Sequence, residues 1–559
     1  MTYALFIIGY VVFFAALLFS FVLNFVHYMH IFQLNSYSAE EQFHWIKNNF
    51  RDVFIRHIFP LIAALFALFS CIIMDGTLFG ENPLGVTYLD KEHIFNNSLV
   101  SVSVPYKVCT WDLIISSFLI ILGTFFCKRK QPAKKKLVFT PRVIRMCVTS
   151  VILYGLVCAL TMIFLYTSGY ELIVLCLWQI FSLFMPMIAN FINKPVEKGV
   201  NNHYINDAKR IISELPDLTV IGITGSYGKT STKFYLNRLL SAKYNVLMTP
   251  ESYNTTMGVV KTVRGSLNAT YEYFICEMGA KGVGEIKEIC DIVHPKHSMI
   301  TSIGEQHLET FKSVDNIIKT KFEIADCITD GMVFLNYDNK FIKEHKTDKN
   351  VISYGFSPEY EYYADNIKVT AKGTTFTVHH GGESEDFSTK LIGEHNVQNI
   401  VGAIAVANKL GVSFEELKMP VHRLEAVPHR MQILDKGNSV VIDDAFNSNP
   451  AGAKAALDTL RLMEGYRILV SPGMVDLGER EYELNKEFGK QASEACDFVI
   501  AVGEKRAVPI VDGLKEVGYP EEKTFVAQNL NEALAKCDML KSGGLKKIIL
   551  LENDLPDNY

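Results

Sequence analysis

The chain has 559 residues, more than one compact core usually spans, so two or three domains are expected. Hydrophobic residues make up 49 % and mean hydropathy is +0.15, too apolar for an ordinary soluble enzyme of this length. A net charge of −5 with a pI near 6.3 gives no sign of a nucleic-acid-binding domain, and no nucleic-acid partner is expected.

The apolar excess lies before residue 200, in the runs Tyr3–Phe25, Ile58–Met74, Leu113–Cys127, Met146–Tyr166 and Leu172–Phe191. A helix needs roughly 20 residues to cross the hydrocarbon core. The first, fourth and fifth runs reach that; the second and third must borrow flanking residues. Tyr3–Phe25 lacks the basic start and small-residue cleavage site of a signal peptide, and its apolar stretch is too long, so it reads as an anchor. Lys128, Arg129, Lys130, Lys134, Lys135, Lys136, Arg142 and Arg145 follow the third run with no acid among them. The positive-inside rule puts that loop in the cytoplasm, where it is suited to anionic lipid headgroups. Gly76–Trp111 carries only Lys91 and Lys107, balanced by acids, and is expected outside. The reading is a multi-pass protein of the cytoplasmic membrane with an external N-terminus. Its C-terminal region then lies in the cytoplasm, where ATP is available. Eleven cysteines occur without a C-x-x-C pair, which fits a reduced intracellular setting.

From Tyr204 short apolar strands alternate with amphipathic helices, the signature of a mostly parallel sheet. LTVIGITG reads as a strand and KTSTKFYLNRLL as a helix; YEYFICEMG, HSMITSIG and DGMVFLN read as further strands. Around residue 413 a second α/β unit begins, with strands NSVVIDDAF, YRILVSPG, CDFVIAVG and KKIILLEND and a helix at Ala451–Met463. The expected fold is a polytopic α-helical membrane region (1–195) followed by two α/β domains. These are a P-loop-type central ATPase domain (196–412) and a Rossmann-like C-terminal domain (413–559).

Between the first strand and its helix stands Gly222-Ile-Thr-Gly-Ser-Tyr-Gly-Lys-Thr-Ser231. Glycines let successive backbone N–H groups turn toward a phosphate, and the helix N-terminus adds its positive dipole. Thr224, Gly225, Ser226, Gly228 and Ser231 would line that cradle. Lys229 would pair with the β- and γ-phosphates, and the Thr230 hydroxyl would bind Mg²⁺. The spacing departs from the common loop, because Ile223 stands where the first glycine is usual.

This loop, T-G-S-x-G-K-T-S, resembles that of the Mur ligases, which add amino acids to peptidoglycan precursors. It looks closest to the branch that attaches D-alanyl-D-alanine, and the resemblance extends over 200–559. The resemblance implies that Glu277 in CEMGA binds the magnesium at the loop and that His307 in GEQHLETF binds a second one. It also implies that Lys321 in TKFEI is carbamylated by CO₂, giving an oxygen ligand suited to hard Mg²⁺. The implied cofactors are thus ATP, two Mg²⁺ ions and a carbamylated lysine, and the implied catalytic residues are Lys229, His307 and Lys321. Asn336 and Asp338 in FLNYDN, with His395, Asn396 and Asn399 in GEHNVQN, match the nucleotide side. Arg430 in EAVPHRM matches a residue that reaches the phosphates from the C-terminal domain. Asp444, Asn447 and Asn449 in IDDAFNSNP match the segment that contacts ribose and faces the incoming amine. After Glu479 the family often has a histidine, whose neighbourhood Asn485 occupies here.

Such chemistry converts a carboxylate to an acyl phosphate with ATP, which an amine then attacks. Cytosolic Mur ligases carry a soluble UDP-sugar-binding domain, whereas here residues 191–219 leave no room for one. The expected acceptor is therefore a membrane-linked or polymeric carboxylate of the cell envelope at the inner leaflet, and the expected amine is an amino acid or short peptide. A peptidoglycan-precursor ligase of the D-Ala-D-Ala-adding type, a poly-γ-glutamate-type polyamide synthase and a catalytically silent nucleotide-binding scaffold remain alternatives. An ATP-driven transporter is weaker, because the helices show no evident charged pathway. Without an Asp-Asn-Pro-Arg motif, selection of diaminopimelate is not supported. The ending Leu551–Tyr559 reads either as a wall of the amine pocket or as loop and tail.

Overall fold

The computed structural model describes residues 2–74, 110–125, 136–165, 170–304, 308–446, 448–475 and 477–554. It separates into two compact units at Val200/Asn201.

In the first unit every described regular element is a helix. Ile7–Leu34, Phe50–Cys71 and Pro141–Leu165 are each long and apolar enough to cross a membrane. The second run thus gains the flanking residues it needed, back to Phe50. Asp112–Phe125 stays short. The fifth run is not one straight span: Tyr170–Leu183 and Met185–Ser213 meet at 69°. The chain tightens to a 3₁₀ turn over Gln179–Leu183, and Pro186 has no amide to donate to Ser182, which removes one helical bond at the break. Among the described residues three helices fit a span, or four if the bent pair is one span, against the five runs expected from hydropathy. The interior is also more polar than the sequence suggested. Buried Glu171 accepts from Tyr10 Oη at 2.7 Å, and buried Asp112 accepts from Ser70 Oγ at 3.0 Å. The external connection expected at Gly76–Trp111 lies almost wholly outside the described residues, as does most of the basic segment from Lys128.

The second unit holds two sheets. The first contains β1 (Thr219–Thr224), β2 (Val246–Met248), β3 (Tyr273–Glu277), β4 (His297–Ile300), β5 (Val333–Asn336), β6 (Val351–Gly355), β7 (Tyr362–Thr370), β8 (Gly373–His380) and β9 (Glu383–Thr389). Their order is β2-β3-β1-β4-β5-β6-β7-β8-β9. Strands β2 to β7 run parallel to their neighbours, and β7-β8-β9 form an antiparallel extension. The parallel strands are apolar on both faces because helices cover both. Ile221, Ile223 and Ile275 point into one core with Leu236 and Ile400, while Val220, Phe274 and Cys276 point into the other with Ile289 and Ile317. Successive strands leave β1 in opposite directions, to β3 and to β4, so its carboxyl end is the switch point where such sheets bind ligands.

The second sheet contains β10 (Gln432–Asp435), β11 (Ser439–Asp444), β12 (Tyr466–Ser471), β13 (Phe498–Val502), β14 (Thr524–Ala527) and β15 (Lys547–Glu552), ordered β10-β11-β15-β12-β13-β14. Only β10 is antiparallel. The helix Phe414–His422 packs Phe414, Leu417 and Val421 into the core of the first sheet, so the second α/β layer starts at β10.

Candidate active site

The loop after β1 turns where its glycines must be glycines. At Gly225 (φ +153°) a Cβ would sit 2.2 Å from Thr301 Oγ1, and at Gly228 (φ +80°) one would sit 2.5 Å from Asn399 Oδ1. Thr224 Oγ1 donates to Met278 O at 2.7 Å and closes the strand end. The segment after β4 clamps the loop: Ser226 N donates to Ser302 O at 2.7 Å and Tyr227 N donates to Ser302 Oγ at 2.9 Å. Buried Asn336 holds that clamp through Thr301 O at 2.8 Å. Lys229 opens the helix Lys229–Leu240 and folds back, its Nζ donating to Gly225 O at 2.6 Å and Ser226 O at 3.1 Å. Its charge therefore lies over the turn that would receive a phosphate. Ser231 lies within hydrogen-bonding reach of the Tyr235 hydroxyl.

Glu277, at the end of β3, is fully buried. Its Oε1 accepts from Thr230 Oγ1 and from Asn254 Nδ2, each at 3.0 Å, and its Oε2 lies 3.0 Å from Lys233 Nζ. Burial pushes this carboxyl up, but the ammoniums of Lys233 and Lys229 outweigh it and hold the group below its ordinary range. Arg430, two residues before β10, brings Nη2 to 3.3 Å from Thr230 Oγ1, with its guanidinium 4.6 Å over the Phe446 ring. Lys229, Lys233 and Arg430 thus surround one carboxylate. Asp444 also draws on Arg430, and three cations against these two carboxylates still leave a surplus that a polyphosphate would neutralise.

Lys321 is 3 % exposed on the helix Val314–Asp326. Burial, reinforced by the Lys229 charge, holds its amine well below the usual lysine range against the pull of Glu285, Glu323 and Glu277. Lys229 is pushed down to about 8 by burial, with Glu277 opposing and Arg430 adding. His307 and Asn447 lie outside the described residues. Among the described residues no three His, Cys, Asp or Glu side chains form a metal-binding group. The Thr230 hydroxyl and the Glu277 carboxylate are a pair of hard oxygen donors, and they fit a Mg²⁺ that keeps several waters.

Several residues expected at the nucleotide turn out to hold the scaffold. Asn396 is buried with both ends of its amide used, accepting from Tyr235 Oη at 2.8 Å and donating to Ile392 O at 2.9 Å. Its neighbour His395 is pushed down to about 4 by burial and stays neutral. Asn399 does face the loop, at Gly228. Asp338 accepts from Phe356 N at 3.2 Å and Gln398 Nε2 at 3.0 Å, pinning the turn after β5. Asn449 caps the helix Pro450–Leu462 through Gly452 N at 2.9 Å. Sequence reading missed Lys233 and Asn254. Lys233 follows Lys229 by four residues on one helix and shares its face, which ties it to the loop without marking it as buried; Asn254 gave no signal.

The loops after β11, β12 and β15 meet at one corner of the second sheet. Asn553 donates from Nδ2 to Gly473 O at 2.6 Å, accepts from Ser448 N at 3.2 Å, and donates its own N–H to Asp444 O at 3.2 Å. It does so at φ +68°, a conformation few non-glycine residues adopt. Asn485 clamps the β12 loop, accepting from Met474 N at 2.7 Å and donating to Met474 O at 2.9 Å. An amide can do both at once. Buried Glu552 accepts from Ser448 Oγ, while the Asp444 Oδ1 accepts from Met431 N at 3.0 Å. Burial lifts both carboxyls, Asp444 to about 6; Asp444 raises Glu552 further, while the hydrogen bond between the two holds Asp444 lower.

That pairing has a pH consequence. The folded state keeps a proton that the unfolded chain has released, so stability falls as pH rises from about 4 to about 6. Glu552→Gln removes one of the two ionisations. The fall in melting temperature across that window is expected to become shallower in the variant, read by thermal denaturation against pH. An unchanged slope would show that the pair does not share the burden.

Family models match two stretches: the Mur ligase middle domain at residues 223–407 and the Mur ligase, glutamate ligase domain at 429–551. The UDP-N-acetylmuramoyl-tripeptide–D-alanyl-D-alanine ligase of Bacillus subtilis is 30 % identical over 343 residues, spanning 60 % of this chain and 74 % of the relative. Its Escherichia coli counterpart is 29 % identical over 363 residues, 62 % of this chain and 80 % of the relative. Among solved structures, MurF from Acinetobacter baumannii superposes with a TM-score of 0.58 at 26 % identity, covering 64 % of this chain and 78 % of that one. The MurF ligase from Thermotoga maritima in complex with ADP shares the fold, with a TM-score of 0.56 at 22 % identity, over 63 % of this chain and 80 % of that one.

Proposed function

Because the chain belongs to the Mur ligase family of ATP-dependent amide-bond-forming ligases, we propose that it joins an amino acid or short peptide to a carboxylate of a cell-envelope precursor at the membrane. The convergence of Lys229, Thr230, Glu277 and Arg430 at the switch point of the first sheet carries the ligase part of this reading. The membrane part rests on the three long apolar helices and on residues 214–218 alone separating the last of the N-terminal helices from β1.

Phosphoryl transfer is mostly positioning and charge neutralisation. Lys229 and Arg430 hold the phosphates while a carboxylate oxygen of the acceptor attacks the γ-phosphorus. ADP leaves, and the acyl phosphate remains against the same cations. The amine then attacks the acyl carbon and inorganic phosphate leaves. Members of this family use ATP and Mg²⁺, and bound Mg²⁺ supplies charge neutralisation between the triphosphate and the carboxylate. Thr230 and Glu277 would hold one ion. Lys321 and His307 would hold a second, with Lys321 as a carbamate. The buried Lys321 amine, held well below the usual lysine range, favours that modification: its nitrogen bonds to the CO₂ carbon and releases a proton. We assign the amine side to the second sheet, a reading supported by the convergence of the loops at Asp444, Ser448 and Asn553.

A second reading has a specific support in the relatives, which are named for a UDP-N-acetylmuramoyl-tripeptide and D-alanyl-D-alanine. The two readings differ in acceptor. Full-length protein in phosphatidylcholine vesicles would be given ATP, Mg²⁺ and D-alanyl-D-alanine with either the UDP-linked tripeptide or the same tripeptide on a polyprenyl diphosphate. Phosphate release is expected only with all components present and faster with the lipid-linked acceptor. Turnover confined to the UDP-linked acceptor supports the second reading, and no release with either sinks both.

A further inference from the structure

Within the N-terminal unit, two arginines on one face of the helix Pro141–Leu165 are treated unequally. Arg145 is neutralised by Glu197, with Nε to Oε1 at 2.7 Å and Nη2 to Oε2 at 2.8 Å. Arg142, three residues earlier and half-buried, has only neutral partners: its Nη2 donates to Asn190 Oδ1 at 2.9 Å and its guanidinium lies 4.0 Å over the Tyr37 ring. Its Nε is buried with no acceptor. Three residues on from Asn190, Asn193 is 9 % exposed; its Oδ1 accepts from Thr149 Oγ1 at 3.0 Å, and its Nδ2 is buried with no acceptor.

A guanidinium that meets no carboxylate among the described residues and leaves its buried Nε without an acceptor, with the unpaired Asn193 Nδ2 on the neighbouring helix, forms a deficit of negative charge. The helix N-terminus deepens it, since no acid stands in the first turn to meet the positive dipole end. Around Arg142 the chain exposes Val138 (60 %), Phe139 (60 %) and Ile144 (50 %). Cation and open apolar side chains together match the boundary between lipid headgroup and acyl chain.

We propose that Arg142, Asn190 and Asn193 form a site for the phosphate of an anionic lipid headgroup. Arg142 supplies the charge and the fixed donor fork, and the Asn193 amide supplies a further donor on the neighbouring helix. The proposal rests on the reading of this unit as membrane-embedded, and the test separates the two.

Full-length protein would be reconstituted in phosphatidylcholine vesicles with and without phosphatidylglycerol, floated on a density gradient, and its retained lipid measured by mass spectrometry. Wild type is expected to float with both and to retain phosphatidylglycerol preferentially. Arg142→Met should lower that preference about fivefold, the ratio one surface cation supplies at a membrane. Asn193→Leu should lower it less, Arg142→Lys should keep part of it, and the exposed Lys372→Met should leave it unchanged. Equal melting temperatures in neutral vesicles show that Arg142→Met still folds. Failure of the wild type to float overturns the membrane reading and the site with it. Floating with equal lipid preference in wild type and Arg142→Met overturns the site alone. Full displacement of the lipid by inorganic phosphate overturns the lipid as the source of the anion.

Discussion

Lys229→Ala is expected to cut ATP-dependent phosphate release about a thousandfold, a loss of roughly 4 kcal/mol of transition-state stabilisation. The ammonium rests on the carbonyls of Gly225 and Ser226, inside the turn that the glycines open for a phosphate. It is held there without a carboxylate of its own; Glu277 is already bonded by Thr230, Asn254 and Lys233. A cation so placed contributes little to the fold and much to a developing negative charge. Removing it relieves repulsion on Arg430 and Lys321 and forfeits attraction to Glu277, so the melting temperature should change little. Coupled-enzyme phosphate release and thermal denaturation on the same preparation give both numbers. Activity within tenfold of wild type would sink the ligase mechanism drawn from this loop.

What the chain announced and what it concealed follow from physics that is local in one case and distant in the other. The strand, the turn from Gly225 to Gly228 and the helix at Lys229 were legible because apolar periodicity, glycine and a basic helix start sit in one short stretch. Arg430 was placed only through resemblance, and the structure brings it to Thr230. Lys233 was not legible as a buried ion: a lysine on an amphipathic helix reads as solvated until its partner on another strand is known. Asn396 had the look of a ligand, and Tyr235 and the Ile392 carbonyl each engage one end of its amide. Hydropathy likewise reported the apolar run Leu172–Phe191 and not the 69° break in it, which falls beside Pro186. The antiparallel strands β7 to β9 were missed because their alternating, half-exposed pattern lacks the solid apolar runs that marked the parallel strands.

Glu277→Ala should cost about 3–5 kcal/mol of stability as well as activity, because it strands the Lys233 ammonium in the interior. Lys233 is fully buried, and without the carboxylate its only remaining bonded partner among the described residues is the Glu251 carbonyl. Burial already pushes its pKa down, with Glu277 opposing; in the variant it would lose its proton or drag water inward. Combining Glu277→Ala with Lys233→Met tests whether the two losses have separate causes. The methionine replaces the ammonium with apolar volume, so urea denaturation should show most of the stability restored. Activity should not return, since the carboxylate beside Thr230 that would hold Mg²⁺ is still absent. Raising Mg²⁺ should then recover turnover only partly, through the Thr230 hydroxyl and the phosphates themselves. Should the double variant regain full turnover at ordinary Mg²⁺, Glu277 would be a counter-ion for Lys233 alone and the metal would have to bind elsewhere. The helix that carries Lys229 and Lys233 thus serves both needs from one face, one lysine turned to the phosphate loop and the other to the carboxylate beneath it.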